Sequence, residues 1–77
     1  MAAVLTEEEL QQKAEAYIKR SYDEDTVWMK IQDNGVDAGN GIFHVECRVS
    51  VGGSESDWTK WFTFQDGEVA TMRWEAH

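Results

Sequence analysis

Two histidines and a single cysteine are the side chains of this 77-residue sequence best suited to hold a metal or attack a substrate. His44 and Cys47 stand three apart, the spacing of half a zinc site. On a strand, however, odd spacing sends the two side chains to opposite faces, and no second cysteine or neighbouring histidine completes a tetrahedral set. Neither zinc binding nor a Cys–His nucleophilic pair is expected, and Cys47 reads as a small buried hydrophobe. His44 and Glu46 share a strand face, yet a rise of ~3.3 Å per residue holds them roughly 7 Å apart, too far for direct proton transfer. A working active site also needs a concave pocket and a third convergent group. No catalytic residue is assigned, and His77, at the chain end, is expected to be mobile.

Oxygen ligands are more plentiful but poorly arranged. The loop Asp33–Gly41 is rich in Asp, Asn and Gly. Counted from Asp33, position six of a calcium loop falls on Ala38, where glycine is required, and position twelve on His44, where a bidentate glutamate is required. Asp23, Glu24 and Asp25 do not converge on one point without a forced backbone wrap, so a solvated acidic turn is expected there. Gly39-Asn40-Gly41 precedes a strand rather than a helix, which excludes a phosphate-cradling loop. No metal and no cofactor are expected.

These residues are positioned by five elements. Thr6 and Glu9 form a capping box, Leu5 and Leu10 the accompanying hydrophobic staple, and Glu7–Glu9 suit the positive end of a helix dipole. Leu10, Ala14, Tyr17 and Ile18 then recur at helical spacing, with Glu9–Lys13 and Glu15–Lys19 as i,i+4 pairs, predicting a helix over about 7–21. From Thr26 the period becomes two. Strands are predicted at about 26–32, 42–51, 57–64 and 68–75, separated by Asp33–Gly41, Gly52-Gly53-Ser54 and Gln65-Asp66-Gly67.

The last hairpin depends on loop length. A two-residue Asp66-Gly67 turn in strict register puts Ala70, Met72 and Trp74 on the face opposite Trp58, Phe62 and Phe64, splitting the core. A three-residue loop with a glycine bulge instead pairs Phe62 with Ala70 and Trp58 with Trp74, and is the expectation. It leaves Lys60 opposite Met72 on the buried side, its ammonium snorkelling to an edge.

The predicted fold is α+β: one N-terminal helix on one face of a four-stranded antiparallel meander, a single domain over 1–77. With Val27, Met29, Phe43, Val45, Phe62 and Trp74 inward, the uncovered face carries Trp28, Ile42, His44, Arg48 and Trp61 among Lys30, Thr59, Thr63, Thr71 and Arg73. That face is expected to be aromatic and rather basic. Arg and Trp are enriched at binding hot spots, so Trp28, His44, Trp61, Arg48 and Ile42 are the candidate partner-binding residues. The bland alternative has Trp28 and Trp61 covered by the 33–41 loop or laid against Lys and Arg stems.

Composition limits the partners. Seven basic and fifteen acidic side chains give a net charge of −8, spread over both halves of the sequence. That charge disfavours nucleic acid and anionic membranes, and no apolar run approaches the ~18 residues of a membrane helix. A chain with 42% apolar residues has enough hydrophobic material to fold. Its N-terminus lacks the basic start and long apolar stretch of a secretory signal, and one cysteine excludes an internal disulfide, so a cytoplasmic setting is expected.

The order of helix then meander is similar to that of cystatin-like rolls and small PepSY-type domains, and Phe64-Gln65-Asp66-Gly67-Glu68-Val69 resembles the strand–turn–strand ending of the latter. The resemblance covers topology and one generic turn, and implies a binding or regulatory module rather than an enzyme. The leading expectation is a non-catalytic protein-interaction module that either self-associates as a homodimer or docks a protein through the aromatic face. A small-ligand pocket between helix and sheet, lined by Tyr17, Tyr22 and the inner tryptophans, is one alternative. An acidic docking surface or nucleic-acid mimic at Glu7–Glu9 and Asp23–Asp25 is another.

Overall fold

A computed structural model describes residues 4–77. Met1-Ala2-Ala3, on which the signal-peptide expectation partly rests, lie outside the described residues. The elements run α1 (Glu7–Tyr22), β1 (Asp25–Asn34), β2 (Gly41–Val51), β3 (Ser54–Gln65) and β4 (Glu68–Ala76), with the strands forming one antiparallel sheet in the order β1-β2-β3-β4. This is the α+β arrangement that the two periodicities predict.

The start of α1 is held as its sequence dictates. Thr6 Oγ1 accepts from the Glu9 N–H at 3.1 Å, and Glu9 Oε1 accepts from the Thr6 N–H at 3.1 Å. Removing such a cap costs roughly 1 kcal/mol. Leu10, Ala14 and Ile18 form the buried stripe, with Tyr17 beside them. At the other end Asp23 adopts the left-handed conformation (φ 56°), and the Asp23 and Glu24 amides close the last turn on Lys19 and Ile18 carbonyls. The predicted i,i+4 ion pairs do not form. Lys13 reaches across to Glu68 at 2.9 Å, and Lys19 turns to Asp23 and Asp25 at 3.1 and 2.9 Å.

Phe43, Val45, Cys47 and Val49 from β2 and Phe62 and Phe64 from β3 meet the helical stripe in the core. Full burial of each large apolar side chain is worth roughly 1.5–3 kcal/mol. The backbone of α1 comes nearest the two edge strands, β1 and β4, so the sheet curls around the helix while the side chains of β2 and β3 fill the space between.

The β3–β4 connection corrects the loop expectation. Asp66 and Gly67 both have positive φ (52° and 82°), and Gln65 pairs with Glu68 and Phe64 with Val69, as in a two-residue turn. A bulge then leaves Ala70 without a partner, so that Thr63 meets Thr71, Phe62 meets Met72 and Lys60 meets Trp74. One extra residue returns Met72 and Trp74 to the helix side. The split core that argued against the short turn is thereby avoided.

Two further differences have similar causes. β1 bulges at Val27, so Thr26 takes the position facing Val49, and Val27, expected inside, is 47% exposed. β3 begins three residues earlier than predicted, because Gly52 and Gly53 alone make the turn and Val51 pairs with Ser54.

Candidate functional site

The outer face of the sheet follows from the register. Trp28, Arg48 and Asp57 form one cross-strand row. Lys30, Glu46, Thr59 and Glu75 form the next, then His44, Trp61 and Arg73, then Ile42, Thr63 and Thr71. All five sequence-predicted residues, Trp28, Ile42, His44, Arg48 and Trp61, therefore share one face.

Trp61 is its centre. The His44 ring from β2 stacks on the indole with centroids 4.9 Å apart and planes 12° from parallel, while the Arg73 guanidinium from β4 lies 4.5 Å from the same ring's centre. An imidazole and a guanidinium from the two flanking strands thus hold the indole. Around this stack Trp28 is 41% and Ile42 50% exposed. Trp61 is half-buried by its polar neighbours, so the alternative of indoles laid against side-chain stems describes Trp61 and leaves Trp28 open.

The expected basic character does not hold. Arg48 donates to both carboxylate oxygens of Asp57, at 2.7 and 3.1 Å. That contact holds the Asp57 carboxyl below the usual carboxylate range. The four rows carry three bases and, with Asp33 beside His44, four acids; Asp25 and Glu55 in the Ser50 row and Glu68 opposite Gln65 add three acids at the ends, so the face as a whole holds four of the eight surplus negative charges. His77 is also placed differently. Its N–H donates to the Asp57 carbonyl at 3.1 Å and its ring meets Thr59, seating the chain end against β3.

On the helix side, a cavity of about 210 Å³ opens between Tyr22, Glu24, Trp58, Lys60, Met72 and Trp74. Lys60 does not snorkel. It is 2% exposed, its ammonium 3.0 Å from Glu24 and between the rings of Tyr22 and Trp58, 5.8 and 5.2 Å from their centres. The left-handed turn at Asp23 sends Glu24 inward while Asp23 and Asp25 go to Lys19. The acidic triplet is therefore divided between two lysines rather than solvated as a unit. Of the aromatic residues expected to line a ligand cavity, Tyr22, Trp58 and Trp74 do so, while Tyr17 packs edge-on against Phe62. The alternating pattern flagged Lys60 as inward but gave no sign of Glu24, whose direction depends on one backbone angle.

Cys47 is fully buried, and His44 lies on the opposite face, as odd spacing requires. The 33–41 loop uses its polar groups on the chain itself: Asn34 accepts from Val36 N–H, and Asn40 accepts from Asp66 N–H. Among the described residues no cluster of three or more His, Cys, Asp or Glu side chains is arranged to hold a metal, and no helix is long and apolar enough to cross a membrane.

No family model matches this sequence, and neither a curated protein nor a solved structure matches it. Function therefore has to be argued from the two surfaces themselves.

Proposed function

We propose that this chain is a non-catalytic protein-interaction module whose outer sheet face docks a second copy of itself. The observation that carries this reading is the exposure of Trp28 and Ile42 around the His44–Trp61–Arg73 stack, on a face that no helix among the described residues covers. Apolar and aromatic surface left open on a small domain is the usual mark of an interface, with Trp and Arg as its anchors. Charge favours a like partner. In a chain of net charge −8, the four central rows of this face hold only one of the surplus negative charges, so two copies repel least when they meet through those rows. The single, buried Cys47 supports a reducing, cytoplasmic setting.

Sedimentation of wild type and Trp61→Ala over a concentration series tests the reading. Wild type is expected to dimerise and Trp61→Ala to stay monomeric with an unchanged circular dichroism spectrum. Amide resonances of the outer rows of β2 and β3 should move with concentration in wild type alone. A wild type that stays monomeric, with those resonances unmoved, overturns self-docking.

A further inference from the structure

We infer that the cavity beside Lys60, on the other side of the sheet from the proposed docking face and independent of it, is a binding site for a small neutral aromatic amide. Size sets the first limit. A cavity of ~150 Å³ is enough for benzene, and drug-sized sites begin near ~300 Å³. The volume here, about 210 Å³, suits one ring with one small substituent.

The walls set the second. Tyr22, Trp58 and Trp74 present ring surface and Met72 a soft thioether, which together favour a flat π-system. Trp74 is 48% exposed and meets Tyr22 edge-on with centroids 5.8 Å apart, so the two stand at an open mouth rather than a sealed interior.

The polar end identifies the substituent. Lys60 and Glu24 are in contact at 3.0 Å, but the buried Glu24 Oε1 takes no aligned hydrogen bond from any side chain, Lys60 included. An ammonium carries three donors, and here the rings of Tyr22 and Trp58 occupy its flanks. The pair thus offers a ligand one spare donor and one spare acceptor, side by side. A primary amide supplies the complement, its carbonyl accepting from Lys60 Nζ and its N–H donating to Glu24 Oε1. Charge points the same way. Lys60 and Glu24 already balance, so a carboxylate ligand is repelled by Glu24 and an ammonium ligand by Lys60, and either leaves an unbalanced charge in a partly desolvated site.

The test is titration of the wild-type protein with benzamide, benzoate and benzylammonium, followed by the indole N–H resonances of Trp58 and Trp74. Benzamide is expected to give saturable shifts at both, and each charged analogue to bind at least about tenfold more weakly. Trp74→Ala should abolish benzamide binding, and Trp61→Ala should leave it intact. The double variant Glu24→Leu/Lys60→Met removes the pair without stranding either charge, and should bind the three probes without preference. Absence of saturable shifts in wild type, equal binding of the three probes, shifts confined to the outer face, or an amide preference surviving in the double variant each overturns the assignment.

Discussion

Cys47 lies at the middle of the covered face of β2, and burial pushes its thiol from an ordinary 9.0 up to about 11. An acid whose native pKa lies above its unfolded value contributes stability that is complete below the unfolded value and lost as pH rises through the native one. The window is therefore about pH 9 to 11. At about 1.4 kcal/mol per unit, the loss specific to Cys47 is on the order of 2 kcal/mol. Cys47→Ala should cost on the order of 1 kcal/mol at neutral pH through the small cavity it leaves. Its disadvantage should then shrink or reverse as pH climbs, because the variant has no thiol to ionise. Urea unfolding of both proteins at about pH 8 and about pH 11 checks this. Curves that stay a constant distance apart would show that Cys47 titration is not linked to folding.

Turns and bulges decide how the elements meet, and glycine positions show which turns are under constraint. Gly41 opens β2 at φ 132°, and a Cβ placed there would lie 2.0 Å from the Gly35 carbonyl oxygen. Gly52 also has positive φ, at 57°, but nothing lies within 4 Å of its added Cβ. The same substitution should thus differ in effect. Gly52→Ala is expected to cost about 1 kcal/mol from backbone strain alone, and Gly41→Ala about 3 kcal/mol or more, because the β1–β2 connection must move. Equal shifts in urea midpoint would refute the crowding at Gly41. The contrast also shows what a sequence displays at this scale. The Thr6–Glu9 box, the helical stripe and the alternation of β2 are local patterns, and each element appears where its pattern runs. The bulges at Val27 and Ala70 follow no local pattern. They arise because strands joined by fixed turns must still deliver their apolar residues to one side, a constraint satisfied across the sheet. That Ile42, His44, Arg48 and Trp61 share one face is legible because they lie on the regular strands β2 and β3. The Glu24–Lys60 pair is not, because it joins a helix cap to a sheet interior 36 positions away.

The whole molecule is a strongly acidic body measuring 40 × 21 × 19 Å, and the placement of its charge separates two ways of binding protein. The acidic clusters that suggest a docking surface are largely engaged within the chain. Asn34 donates to Glu7, Glu9 closes the helix cap, Asp23 and Asp25 hold Lys19, and Glu24 holds Lys60. The central rows of the outer face are both more aromatic and nearer to neutral. If copies associate through it, each brings a net charge of −8, and their mutual repulsion opposes assembly. Raising salt shortens the screening length from ~30 Å at 0.01 M to ~8 Å at 0.15 M, well below the long dimension of the molecule. Dimerisation through Trp28, Ile42 and Trp61 should therefore tighten with added salt, on the order of several-fold across that range, as the charges away from the contact are screened. Binding of a basic partner to Glu7–Glu9 or Asp23–Asp25 should respond in the opposite direction, because there the attraction itself is screened. Sedimentation of wild type and Trp61→Ala at low and moderate salt distinguishes the two by sign. Association that grows with salt and disappears in Trp61→Ala assigns the contact to the outer face, whereas association that weakens with salt and survives in the variant moves it to the acidic surface.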